Sequence, residues 1–173
     1  EPVSERVVAG PTEATPQDTA TVGIGPSASA NAITQQVLAE VQDAVITGTG
    51  SNGAQRSDLH VLATGDFTLV ADATAGATNA VNLPAAAAAN YTDLNTVART
   101  LNTTGTSAIS GNLLVQATHT DTSTQVADTD SGVGGTASVG AALALSYVLG
   151  GADASSGMRI SVPTGTVSVL ASN

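Results

Sequence analysis

Asp58-Leu-His-Val-Leu-Ala63 and Thr166-Val-Ser-Val-Leu-Ala171 match position by position in their apolar pattern. Each places an apolar residue at every second position, the period of a strand with one buried face. A shorter unit widens the pattern: Gly65-Asp-Phe-Thr-Leu-Val-Ala71, Gly111-Asn-Leu-Leu-Val-Gln-Ala117 and Gly165-Thr-Val-Ser-Val-Leu-Ala171 each put glycine at a turn before an alternating strand. Strand alternation predicts that Leu59, Val61 and Ala63 share a buried face, as do Leu113, Val115 and Ala117, and Val167, Val169 and Ala171. The separations are irregular, so insertions lie between the turns and the repeat is not a strict short-period one.

Outward from these units, Thr19-Ala-Thr-Val-Gly23 and Thr136-Ala-Ser-Val-Gly140 both open Ala/Ser-rich runs, which suggests two copies with their parts in the same order. Residues Ala32 to Ile46 fit either a strand or a helical face of Ile33, Val37, Leu38, Val41 and Val45 with a cap at Asn31; alignment with the second copy favours the strand. Pro84 to Asn90 and Thr92 to Leu101 are the helix candidates, the latter with Leu94, Val97, Ala98 and Leu101 on one face. Ala137 to Leu149 is the most apolar stretch and reads as a buried strand, too short for a membrane span. Residues 1–20, with Pro2, Pro11 and Pro16, read as an extended arm or linker, and residues 21–173 as one β-rich repeat domain. The arm carries few apolar anchors, so contact with a neighbouring molecule, around Ser4 to Ala9, is expected to hold it rather than its own core.

Composition narrows the function. The apolar fraction is 42%, yet Phe67, Tyr91, Tyr147 and Met158 are the only bulky members besides Leu and Ile. Repeated Val, Ile, Leu and Ala suit the narrow interior of stacked strands better than an enzyme pocket. Fourteen acids oppose four arginines with no lysine, a net charge of −10 that repels a phosphate backbone or anionic lipid. Nucleic acid is not an expected partner. The absence of cysteine removes disulfides, thiolate metal sites and thiol nucleophiles.

The succession Val-Gly-x-Gly/Ala with an Ala/Ser-rich strand, then Ala-Glu-Val-Gln-Asp-Ala-Val-Ile over Ala39 to Ile46, then Gly-x-Val-x-Val-x-Ala resembles the giant filamentous adhesins of Gram-negative bacteria. The leukotoxin-like filamentous adhesin family is among them. The likeness covers roughly residues 19–78 and 105–173. It implies a long exported protein whose passenger is a parallel β-helix or β-solenoid, acting as a surface stalk and adhesive, with no catalytic residues to carry over.

Candidate chemistry is sparse. His60 and His119 lie in alternating contexts and are expected to point to solvent from strands, in preference to a metal pair or a general base with Asp58 or Asp121. Asp128-Thr-Asp130-Ser-Gly132 resembles the start of a calcium loop but lacks the terminal Glu, so a turn with solvated acids is favoured over calcium. Gly25-Pro-Ser-Ala-Ser29 does not match the Gly-x-Ser-x-Gly elbow, and Gly132-Val-Gly-Gly-Thr136 lacks the lysine of a phosphate loop. Thr118, Thr120, Thr122 and Thr124 alternate along one strand, the pattern of an ice-binding face. The expectation is an all-β protein, a parallel β-helix or β-solenoid-like repeat with one short helix. It is non-enzymatic and extracellular, with no catalytic, cofactor or metal residues and no cofactor. Its expected partners are itself, by polymerisation or neighbouring repeats, and a surface glycan or host-cell receptor.

Overall fold

A computed structural model gives the fold and describes residues 3–13, 22–48, 56–77, 80–101, 105–131 and 137–173. Among them there is no helix. The strands, in chain order, are β1 (Val3–Glu13), β2 (Val22–Gln42), β3 (Thr47–Gly48), β4 (Leu59–Ala77), β5 (Val81–Leu101), β6 (Ser107–Ile109), β7 (Leu113–Ser131), β8 (Ala137–Ser138), β9 (Ala141–Gly157), β10 (Ile160–Ser161) and β11 (Val167–Ser172). Every pairing between them is parallel.

The strands form three sheets: β1-β4-β7-β11, which we call A; β2-β5 continued by β8 and β9, called B; and β3-β6-β10, the short sheet C. Chain order therefore visits A, B and C repeatedly in the same sequence. Sheets A and B face each other along their whole length. Val61 and Ala63 of β4 meet Ala98 of β5, Phe67 and Leu69 meet Leu94, and Ala71, Ala73 and Ala75 meet Ala86 and Ala88. Sheet C closes one end, where Ile109 and Ile160 join the first of these clusters.

The expected buried face holds for two of the three sets: Val61, Ala63, Leu113, Val115 and Ala117 are buried. The third is corrected, because Val167, Val169 and Ala171 stand in register with Leu113, Val115 and Ala117 but are exposed on the last strand of the sheet. Leu59 pairs with Leu113 on the same face. Two of the three glycine units also coincide, because a Cβ on Gly165 would lie 1.8 Å from the Gly111 carbonyl oxygen. The third does not: Gly65 pairs with His119 in mid-strand, and Ser57 occupies the turn that Gly111 occupies one circuit later. There the side chains cap the turn above them. Asp58 Oδ1 accepts from the Asn112 N–H at 2.6 Å, and Asn112 Oδ1 accepts from the Thr166 N–H at 3.0 Å, each 54 residues along.

The favoured strand reading of Ala32 to Ile46 holds as far as Gln42, and the strand ends at Asp43, whose φ is +49°. Other expectations are corrected. Both helix candidates lie in β5, a central strand paired on both sides. Period 2 overrides period 3.6 here: Leu94 and Ala98 point inward and are fully buried, while Val97 and Leu101 share the outward parity. Pro84 has no N–H for a ladder, and the β5 pairing on that side breaks beside it, between Asn82↔Ser138 and Ala85↔Ala141. The copies that open at Val22 and at Ala137 do share sheet B, but Gly23 pairs with Asn82, whose other partner is Ser138, so Gly23 and Gly140 are two residues out of step. The N-terminal arm takes its partner from its own chain: β1 pairs with Phe67 to Gly76 of β4, with a register shift where Gly10 and Pro11 interrupt it. Residues 1–2 and 14–20 of that arm lie outside the described residues.

Candidate functional site

Two broad outer faces and one polar interior seam present the side chains that chemistry or recognition would use. Residues of even number in β2, and odd number in β5 and β9, point outward from sheet B. Their registers stack Ala28 on Ala87 and Leu143, Ala30 on Ala89 and Leu145, and Ala32 on Tyr91 and Tyr147. Small residues on the first two strands beside leucine on the third leave a groove of about 360 Å³, lined by Pro26, Ala28, Ala85, Ala87, Ala141 and Leu143. Leu143, Leu145 and Tyr147 are 54%, 55% and 58% exposed. The Tyr91 and Tyr147 rings stack with centroids 5.5 Å apart and planes 5° from parallel. These outward side chains form one contiguous apolar face. Toward sheet C the face turns polar, with Asn95 donating to Asp93 at 2.9 Å and Arg99 paired to Glu40.

The outer face of sheet A carries hydroxyls instead. Thr118, Thr120, Thr122 and Thr124 share one side of β7, and Thr64 and Thr68 of β4 stand beside Thr118 and Thr122. His60 is exposed on this face, as expected. Asp128 and Asp130 are exposed too, but the expected turn is corrected: both lie within β7, whose alternation and pairing run on to Ser131. Those two acids stand opposite Thr74 and Gly76. No group of three or more His, Cys, Asp or Glu side chains comes together among the described residues. Gly132 to Gly135 lie outside them.

His119 corrects its expectation. It is 3% exposed and faces inward, because alternation runs unbroken from Leu113 and puts position 119 on the Leu113 side. Its Nδ1 is 3.1 Å from Thr96 Oγ1 and its ring packs at 5.3 Å on Phe67. Glycines on the flanking strands make the room. Gly65 pairs beside His119 in β4, and a Cβ on Gly150 would come within 3.3 Å of His119 Nε2. That nitrogen has no hydrogen bond and lies 3.8 Å from Asp121 Oδ2. Thr96, His119 and Asp121 thus follow one another as hydroxyl, imidazole and carboxylate, but Thr96 is wholly buried, which closes this hydroxyl to a substrate.

Further along the seam Asn31 Nδ2 donates to Asn90 Oδ1 at 2.9 Å and to the Val70 carbonyl at 3.0 Å. Asn90 Nδ2 in turn reaches Ser123 Oγ at 3.0 Å and the Thr124 carbonyl. Ser146 stands next in the row, its hydroxyl 3.3 Å from Ser123 Oγ. These amides tie sheet B to sheet A through the core. Sequence reading missed this role, taking Asn31 for the cap of a helix and Asn90 for the end of one, although each stands beside alanines at a position of inward parity. No known protein family, curated protein or solved structure matches this chain.

Proposed function

We propose that this chain is a non-enzymatic structural protein of the extracellular space, a building block of a bacterial surface fibre or adhesin, with its three sheets wound as a β-solenoid. The observation that carries the reading is the return of like residues on successive circuits, Leu59 over Leu113 over Val167 and Tyr91 over Tyr147. Such ladders are what a repeating coil requires, since each circuit buries its face only against the next. The surfaces left over are flat and wide, suited to contact with other surfaces rather than to enclosing a small substrate. The apolar face of sheet B is the adhesive side in this reading, directed at a second copy, a surface glycan or a host-cell receptor.

Immunogold labelling of intact source cells with antibody against the chain tests it. Gold is expected on the cell exterior, along fibres or in surface tufts. Labelling that appears only after the cells are broken would sink the reading.

The hydroxyl face of sheet A favours one second reading. Thr118, Thr120, Thr122 and Thr124 repeat at about 6.6–6.8 Å along β7, and Thr64 and Thr68 stand about 4.8 Å beside Thr118 and Thr122 with Asp66 between them, a partial grid that could order water as an ice-binding surface. Thermal hysteresis of the purified chain, lost in Thr120→Lys, is its expected signature. A glycan-active solenoid is the weaker form of the same idea and predicts sugar release instead.

A further inference from the structure

Half of sheet B reverses the usual placing of polar and apolar residues. From Val22 to Ala32 in β2, from Val81 to Tyr91 in β5 and from Ala137 to Tyr147 in the strands beside them, every residue of outward parity is apolar. The inward positions of the same stretches hold Ser27, Ser29, Asn31, Asn82 and Asn90, all of them buried. Beyond the tyrosines the outward rows turn polar, with Thr34 beside Asp93 and Gln36 beside Asn95. The apolar block is thus bounded, about 36 Å along the strands and about 14 Å across three of them, or about 500 Å². Soluble monomers rarely leave so large a contiguous apolar patch open to water.

The block also has relief. Leu143 and Leu145 of β9 form a ridge, while Ala28 and Ala30 of β2, with Ala87 and Ala89 of β5 beside them, form the hollow of about 360 Å³. A two-fold axis running along the strands, between two such faces, lays β9 of each copy over β2 of the other. Leu143 then meets Ala28, Leu145 meets Ala30 and Tyr147 meets Ala32, ridge into hollow at every level. An axis running across the strands would set ridge against ridge. Two blocks bury about 1,000 Å² together, the least that a specific interface needs. Aligned sheets cross at about 30°, which carries the Asp93 ends of the two copies apart. A glycan needs several hydrogen-bonding side chains, and the block offers only the two tyrosine hydroxyls at its end. A bilayer contact is flanked by lysine and arginine, whereas the chain has no lysine and this border carries Asp93.

We infer that the occupant of this face is a second copy of the chain, packed face to face about a two-fold axis parallel to the strands, with β9 of each molecule seated in the alanine hollow of the other. This pairing deepens the reading of sheet B as the adhesive side, on which it rests, by naming the partner. A contact that uses the same patch on both molecules closes on itself, so it makes a dimer and no larger assembly.

Sedimentation velocity tests it. The parent protein is expected to double in mass as concentration rises and to stop there. Leu145→Lys, which charges the ridge, is expected to stay monomeric. Ala28→Trp is expected to stay monomeric as well, because it fills the hollow that receives Leu143, although it makes the face more apolar. Both positions are exposed, so the β circular dichroism of each variant is expected to match the parent's. A parent that stays monomeric at its highest soluble concentration overturns the inference, as does one whose mass grows past the dimer. Ala28→Trp dimerising like the parent also overturns it, since the hollow would then be unused. In flotation with phosphatidylcholine vesicles the parent is expected to remain at the bottom of the gradient; protein that floats, and floats more readily as Ala28→Trp, would assign the face to a bilayer instead. Each of these results leaves the immunogold outcome free to stand.

Discussion

β9 shares the register of β5 from Ala85 to Leu101, and β11 that of β7 from Leu113 to Thr118, yet in each pair the inward row of the inner strand is buried and that of the outer one largely exposed. Ala86 and Ala88 are 4% and 1% exposed, whereas Ala142 and Ala144, their partners on β9, are exposed. Val115 is fully buried and Val169 beside it is 41% exposed. Side-chain type is nearly the same in each pair, so burial is decided by whether another circuit lies beyond, not by local sequence. The apolar stretch Ala137 to Leu149, expected to be a buried strand, is the clearest case: it is a strand from Ala141 onward, but exposed along its length.

Substitutions at paired positions sharpen that contrast. Phe67 fills the middle circuit at 1% exposure against Leu69, Leu94 and His119. Phe67→Ala is expected to lower stability by about 3–5 kcal/mol, while Val169→Ala on the last circuit costs below about 1 kcal/mol, both read as shifts in the urea midpoint. Equal losses would mean that the last circuit is as well covered as the second. Next in size is Asn90→Ala, which strands the Asn31 amide and strips partners from Ser123 and the Thr124 carbonyl. A loss of about 2–3 kcal/mol is expected, against ~0.5 kcal/mol or less for Ser146→Ala at the end of the same row. A neutral Asn90→Ala would show that the seam is incidental to stability.

The smallest effect probes where the contrast fails. A Cβ on Gly150 would fall 2.0 Å from the Leu94 carbonyl oxygen, and its φ is +155°, whereas a Cβ on Gly151 would meet nothing within 4 Å. Gly150→Ala is expected to cost about 1–3 kcal/mol, with Gly151→Ala inside about 0.5 kcal/mol of the parent. Matching behaviour would mean that β9 does not sit closely on β5.

Strand parity was the legible part of the fold. Leu59, Leu113 and Val167 carry an alternation that needs no tertiary knowledge, but the 54-residue spacing of Asp58, Asn112 and Thr166 was hidden behind separations that looked irregular and shows only in their hydrogen bonds. Gly65 misleads because a mid-strand glycine that yields space to Phe67 and Thr96 looks, in sequence, like a turn glycine. β5 was hidden for a related reason: alanine favours helix locally, and only two flanking strands with matching alanines make it a ladder residue. His119 shows the limit for the interior site. Its parity was readable by counting from Leu113, but the contacts with Thr96 and Asp121 depend on how sheet B lies across sheet A.

One dimension of the fold bears on the mechanics of such a stack of strands. A strand of 21 residues, the length of β2 and β5, spans about 70 Å, while each circuit adds about 4.8 Å along the stack. With 54 residues between equivalent positions, growth consumes about 11 residues per ångström of length. This is a poor way to reach far and a good way to be broad. A beam of such a section resists bending across its width far more than across its thin two-sheet depth, so an assembly of these circuits would behave as a stiff tape with two dissimilar sides, one oily and one hydroxylated.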